Sequence, residues 1–200
     1  MGMLTTLQVL AEPRRQEILG LLRDGELPVG DLVARLRMSQ PAVRLSRYLP
    51  DPPAVVWRAI TEREQLKAWF PCDVVVSGGE WAVGAAITFP FPADVIDMTL
   101  TGTVLAVDEP RLLSYTWGED EVLRFELSPE GAGTRLVLTD ELQASWAARN
   151  AAGWEDCLDR LAGTAAEPDA WRRRFAAYSA AFEPVIGPQE GPPAEFKGEV

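Results

Sequence analysis

"SQPAVRLSRYLPDPPAVVW", residues 39–57, carries two incompatible readings. Ser39 is a good helix N-cap and Pro41 suits a first helical turn, where its missing N–H leaves nothing unsatisfied, so "SQPAV" reads as the start of a helix. From Val43, however, the residues alternate. Val43, Leu45, Arg47 and Leu49 face one way and Arg44, Ser46 and Tyr48 the other, which is the period of a strand. A helical reading of the same residues also gathers Leu45, Tyr48 and Leu49 on one face. Local propensity leaves the choice open, so the flanking segments have to make it.

Upstream, the pattern is one of short helices. Leu7, Val9, Leu10 and Ala11 suggest a first; Pro13 opens a second, "RRQEILGLLRDG", with Ile18, Leu19, Leu21 and Leu22 apolar and Gly25 as its stop; "VGDLVARLR" makes a third around Leu32, Val33 and Leu36. The residues "LAEPRRQEILGLL" and "GELPVGDLVARLRMSQPAV" resemble the arsenical-resistance (ArsR-type) winged-helix repressors over about a fifth of the chain. The resemblance implies a recognition helix after "SQPAV", with Ser39, Gln40 and Arg44 as its DNA-contacting residues. The chain departs from that family at "RLSRYLPDPP": the β-hairpin wing and the helix that carries dimer contacts do not follow. DNA binding is therefore expected to be weak, and a homodimer stays open.

Downstream, "PPAVVWRAIT" and "EREQLKAWF" read as two helices. A run of strands follows: "CDVVVS", "AAITFPF", "MTLTGTVLAVD", "RLLSYTWG", "EVLRFELS" and "TRLVLTDEL", separated by short turns such as "DEP" and "PEGAG". Strands this close in sequence form an antiparallel meander. Ser145 is placed to cap a long helix, "WAARNAAGWEDCLDRLAGTAA", and after Pro168 a further helix, "DAWRRRFAAYSAAFEPVIG", carries a basic cluster expected to face solvent. The Pro-, Gly- and charge-rich tail from Pro184 is expected to be disordered.

The motifs "DPPAVVWRAITEREQLKAWF", "GTVLAVDEPRLLSYTW", "GAGTRLVL" and "AAGWEDCLDRL" resemble the START-like (SRPBCC) superfamily, in the branch similar to the activator of heat-shock-protein ATPase. The resemblance implies an α+β helix-grip fold, in which a curved antiparallel sheet wraps a long C-terminal helix, here with a small N-terminal three-helix segment. It also decides the opening stretch. The fold needs a strand before "DPPAVVW", and a sheet without it would leave a neighbour's edge unpaired. The expected organisation is a partial ArsR-type segment over 1–42, a START-like domain over 43–183 and a tail over 184–200. Relatives often carry His after the "GW" of the long helix. Glu155 stands there, so no role is carried over to it.

Composition narrows the chemistry. The 200 residues include no His, which removes His-based triads, His metal sites and His pH switches. Charge is uneven: residues 1–47 hold seven Arg against five acids, while the remainder holds 12 basic against 25 acidic residues, so only the N-terminal piece could tolerate a phosphate backbone. No apolar run is long enough for a membrane span and no secretory signal is legible, and Cys72 and Cys157 form no metal pattern, so a cytoplasmic protein with reduced thiols is expected. No phosphate loop, nucleophile elbow, metal constellation or cofactor motif is found.

The helix grip implies an apolar site between sheet and helix. Its candidate lining is Trp69, Phe70, Trp81, Phe89, Phe91, Met98, Trp117 and Trp154, with Arg124 as a polar member, and Tyr115, Glu126, Asp140, Glu155 and Asp156 as further polar side chains that could enter. The expected partner is a small hydrophobic ligand. The leading expectation is a ligand-binding protein with a shortened helix-turn-helix, of the kind fused in transcriptional regulators. A stand-alone hydrophobic-ligand binder or co-chaperone-like protein is the second reading, and a cyclase-type enzyme the third.

Overall fold

Ala42–Leu49 is a strand, β1, in a computed structural model that describes residues 41–165 and 167–193. Its whole length pairs antiparallel with Gly133–Glu141 (β7), from Ala42 opposite Glu141 to Leu49 opposite Thr134. Val43, Leu45, Arg47 and Leu49 are buried, while Arg44, Ser46 and Tyr48 point to solvent. Pairing on β7 supplies what local propensity could not, because β7 would otherwise present an open edge. The helices expected over residues 4–38, with Ser39 and Gln40, lie outside the described residues.

The other strands are β2 (Val75–Val76), β3 (Ala86–Pro90), β4 (Thr99–Asp108), β5 (Leu112–Trp117) and β6 (Glu121–Glu130). They form one antiparallel sheet in the order β1-β7-β6-β5-β4-β3-β2. Strands β2 to β7 are the expected meander, and a register shift between Val104 and Ala106 leaves Leu105 exposed. Gly102 is required where it stands: a Cβ there would lie 2.0 Å from the Thr116 carbonyl oxygen and 3.0 Å from the Phe89 ring.

Four α-helices complete the described residues. Helix α1 (Pro53–Thr61) starts with Pro at its first position and buries Val56, Trp57 and Ile60; α2 (Arg63–Leu66) is a single turn. Helix α3 (Ala147–Leu161) buries Ala147, Ala148, Ala151, Ala152, Trp154, Cys157 and Leu158, joining the core formed with the sheet's inner face. Helix α4 (Ala170–Ile186) packs along α3. This is the helix grip that the motifs imply.

Two local expectations are corrected. Ser145 does not cap α3; it sits in a 3-10 turn (Ala144–Trp146), and the N-cap residue, Trp146, makes no side-chain capping bond. The first-turn amide of Ala148 is instead satisfied by the Gln189 side-chain oxygen at 2.9 Å, while the Gln189 amide donates to the Ala144 carbonyl at 3.0 Å. The chain from Pro184 is accordingly not a disordered tail over its first part. Pro184 lies in the last turn of α4, and beyond Gly187 the chain returns to α3, where the Glu190 amide donates to the Ser145 carbonyl at 2.7 Å. Composition missed this because the contacts are made by one Gln and by backbone.

Candidate functional site

The sheet register assigns the inner face. Val43, Asp140, Leu123, Tyr115 and Val104 form one row across β1, β7, β6, β5 and β4. Glu121, two residues before Leu123 and opposite Trp117, belongs to the adjoining row. Against these rows the loop after α2 brings Phe70, β3 brings Phe89, and α3 brings Trp154.

The rings meet. Trp117 lies 4.6 Å from Phe89, 5.4 Å from Phe70, 5.8 Å from Trp154 and 5.9 Å from Phe91, between centroids. Trp154 also approaches Phe70 at 5.5 Å. Trp69 packs edge-on to Phe70 and Phe125, and its Nε1–H donates to the Ala59 carbonyl at 2.9 Å, which ties it to α1. Trp81 lies 5.6 Å from Tyr115, at the half-buried margin. Met98 precedes β4 instead of alternating within it, half-buried, and its carbonyl accepts from the Phe91 amide.

Three predicted residues, Arg124, Glu126 and Arg44, lie elsewhere. Arg124 is on the outer face of β6, where it pairs with Glu126 at 3.3 Å, because Leu123, Phe125 and Leu127 take the inward positions of that strand. Arg44 is on the same outer face, in a shallow cavity of about 460 Å3 shared with Asp108, Arg111 and Glu126. It is a strand residue and not part of a recognition helix.

At the Trp117–Trp154 end of the rings the inner face turns polar. Asp140 is fully buried; its Oδ2 accepts from Trp154 Nε1–H at 2.9 Å and from Asn150 Nδ2–H at 3.0 Å. The same Asn150 amide donates to Glu121 Oε2 at 2.7 Å. The second oxygen of Asp140, Oδ1, is buried without a hydrogen-bond partner. Burial pushes the Asp140 carboxyl up to about 7, against the pull of the Asn150 and Trp154 hydrogen bonds. Burial, and then the Asp140 charge, pushes Glu121 up to about 8. The two titrate as a pair that holds a proton near neutral pH. Such a pair can donate or accept a hydrogen bond, and can exchange its proton when a charged group arrives.

Asp140 was among the expected polar residues, whereas Glu121 and Asn150 were not. The signal for Glu121 was present, because it has the parity of Leu123, Phe125 and Leu127. The acidic turn "GEDE" disguised it as a solvated end. Asn150 stands four residues before Trp154, one turn along the same face of α3.

The far end of α3 carries a different polar cluster. Arg47, inward on β1, donates from Nε and Nη2 to Asp159 Oδ1 at 3.1 and 3.0 Å and lies 3.7 Å from Glu155. Arg174 of α4 closes the cluster through Glu155 at 3.3 Å, Asp159 at 2.5 Å and Asp156. Glu155 and Asp156 are thus ion-paired there and do not enter the aromatic site.

Comparison with known families fits this geometry. Residues 51–166 match the family model described as Activator of Hsp90 ATPase homolog 1-like protein. The chain belongs to that family. Residues 12–47 match the model for bacterial regulatory proteins of the arsR family, and the last six of these are β1 residues that the Activator of Hsp90 ATPase homolog 1-like domain uses in its sheet. No curated protein matches in sequence. Similar solved structures include a conserved protein of unknown function from Enterococcus faecalis (25% identity, 72% of this chain and 85% of that one, TM-score 0.60). CalU16 from Micromonospora echinospora (20%, 74% and 88%, 0.55) shares the fold, as does a protein from Chromobacterium violaceum (26%, 61% and 95%, 0.53). Among the described residues of this family member, no helix is long and apolar enough to cross a membrane, and no group of His, Cys, Asp and Glu could hold a metal ion.

Proposed function

We propose that this Activator of Hsp90 ATPase homolog 1-like protein binds a small apolar molecule between its sheet and α3, in the cytoplasm, where its buried thiols Cys72 and Cys157 stay unpaired. The observation that carries this reading is the line of rings from Phe91 through Trp117 to Trp154, which ends on a buried carboxyl with one oxygen unpartnered. Large flat side chains offer apolar contact area, and a single polar group fixes orientation. The test is titration of the full chain with a panel of alkyl and polyaromatic compounds, followed by tryptophan quenching and thermal shift. At least one class should quench and raise the Tm, and Trp117→Ala, checked first for folding, should weaken that ligand. Silence across the panel in both measurements refutes the reading.

The place of DNA follows from β1. The arsR-like match runs into residues committed to the sheet, and the adjacent body is acidic, which favours a ligand binder whose N-terminal segment reads DNA weakly or not at all. Fluorescence anisotropy with duplex from the upstream promoter should show weak binding with shallow salt dependence. A nanomolar specific complex at physiological salt would make the protein a ligand-sensing regulator instead.

A further inference from the structure

The inner face near α3 has more acceptors than donors. Glu121 and Asp140 together present four carboxyl oxygens. The donors that reach them are Asn150 Nδ2, shared between both, and Trp154 Nε1. Asp140 Oδ1 receives nothing although the residue is fully buried. Arg149 acts on both acids through its charge and opposes the rise that burial causes, but its guanidinium makes its direct contacts elsewhere. Its guanidinium lies 4.6 Å over the Trp146 ring and donates to the Gly191 carbonyl at 3.3 Å, and among the described residues it forms no ion pair with either acid. The remaining charged groups that act on the pair are Asp120 and Glu141, which add negative potential. Glu121 and Trp117 each keep 8% of their surface open, so the pair lies just beneath the surface at this end of the sheet.

We propose that Glu121 and Asp140 recognise the cationic head of an apolar amine, with its hydrocarbon or aromatic part against Trp117 and Trp154. The inference rests on the ligand-binding reading above and names the ligand class. An ammonium brings up to three N–H donors to a place short of donors, the free Oδ1 among its acceptors. A carboxylate head of equal size meets two carboxyls and, among the described residues, no cation ion-paired with them, so fatty-acid-like ligands are selected against. Because the pair holds a proton near neutral pH, entry of an ammonium expels one to solvent: the carboxyl O–H bond breaks, the proton goes to buffer, and the carboxylate left behind accepts the ammonium N–H.

The test uses three probes with one skeleton, decylamine, decanol and decanoate, each below its micelle concentration, titrated calorimetrically into the full chain at pH 7. Decylamine should bind at least tenfold tighter than decanoate. Its heat should vary with the ionisation enthalpy of the buffer, corresponding to about one proton released. Asp140→Asn should reduce the amine preference to threefold or less and abolish the proton release, and Glu121→Gln should act in the same direction. If decanol and decanoate bind as tightly as the amine, the site has no preference for cations and the inference is wrong while the ligand-binding reading stands. If none of the three binds, and the broader panel also fails, the ligand-binding reading itself falls. If the amine binds preferentially but releases no proton and both variants behave as wild type, a different group holds the head and the assignment to Glu121 and Asp140 is overturned.

Discussion

The two ends of α3 solve the problem of buried charge in opposite ways. At the Glu155–Asp159 end, acids from α3 meet Arg47 of β1 and Arg174 of α4, and each guanidinium serves more than one carboxylate. At the Asn150–Trp154 end, the direct hydrogen bonds to Glu121 and Asp140 come from neutral donors, Arg149 acts on them only through its charge, and one oxygen is left without a partner. Folding alone explains the first arrangement: it ties the edge strand and the last helix to α3. The second costs stability, because unpaired buried carboxyls are disfavoured in their charged form. A cost retained beside a cluster of aromatic rings is the pattern of a site that waits for a partner.

The largest effect should come from breaking the paired end. Arg47→Ala leaves Glu155 and Asp159 to share Arg174 in a largely buried setting. Removing one partner of a buried pair costs about 3–5 kcal/mol, and the partial exposure of Asp159 places the expected loss near the lower figure. Urea unfolding followed by tryptophan emission measures it. A loss below about 1 kcal/mol would mean that this end does not hold β1 and α4 in place, and the contrast between the ends would fail.

Much of this contrast was legible in the sequence, and the remainder was hidden for physical reasons. Alternation placed Val43, Leu45, Arg47 and Leu49 on one face before any partner strand was known, but only a partner could choose strand over helix. Alternation in "EVLRFELS" showed that Arg124 and Phe125 face opposite ways without saying which faced in. The register gave the answer: Phe125 sits opposite Leu138, Leu113 packs beside it, and Arg124 takes the outer face. The rings were legible as a group, because Trp and Phe are large wherever they pack. The polar end was not, since the meeting of Glu121, Asp140 and Asn150 depends on two strands and a helix separated by up to 29 residues. The role of Gln189 was hidden for the same reason, 41 residues from the amide it caps.

A second, smaller effect should appear when pH is varied. Asp140 and Glu121 have native values raised above their ordinary 3.8 and 4.5, to about 7 and about 8. Between the ordinary and the raised values the folded chain keeps protons that the unfolded chain has lost, so stability falls as pH rises through that window and levels off above it. The wild type should lose on the order of a few kcal/mol between pH 5 and pH 8.5. Asp140→Asn should flatten that slope, since it removes one titrating group and the charge that helps raise Glu121. The exposed pairs Arg63–Asp73 and Arg135–Glu130 work in the opposite direction, with lowered carboxyls whose contribution is lost only at pH values below this range. Urea midpoints at five pH values provide the measurement. A wild-type profile as flat as that of the Asn variant would remove the distinction between the two ends.

The smallest effect separates the hydrogen bond from the ring. Trp154 contributes a ring to the cluster and an Nε1–H to Asp140, and Trp154→Phe keeps most of the first while deleting the second. The smaller ring leaves a modest void, which costs about 1 kcal/mol at any pH. The lost hydrogen bond behaves differently. At pH 5.5 Asp140 is protonated in the folded chain and the indole donates to a neutral carboxyl, a bond worth roughly 0.5–1.5 kcal/mol. At pH 8.5 it donates to a carboxylate, a bond worth roughly 1.5–3 kcal/mol. The variant should therefore lose about 1 kcal/mol more at the higher pH, and the titration of the pair should move up, because the Trp154 bond opposes the effect of burial. Equal losses at the two pH values would show that the indole supports Asp140 only by packing, and that the acid end of α3 is tuned by burial alone.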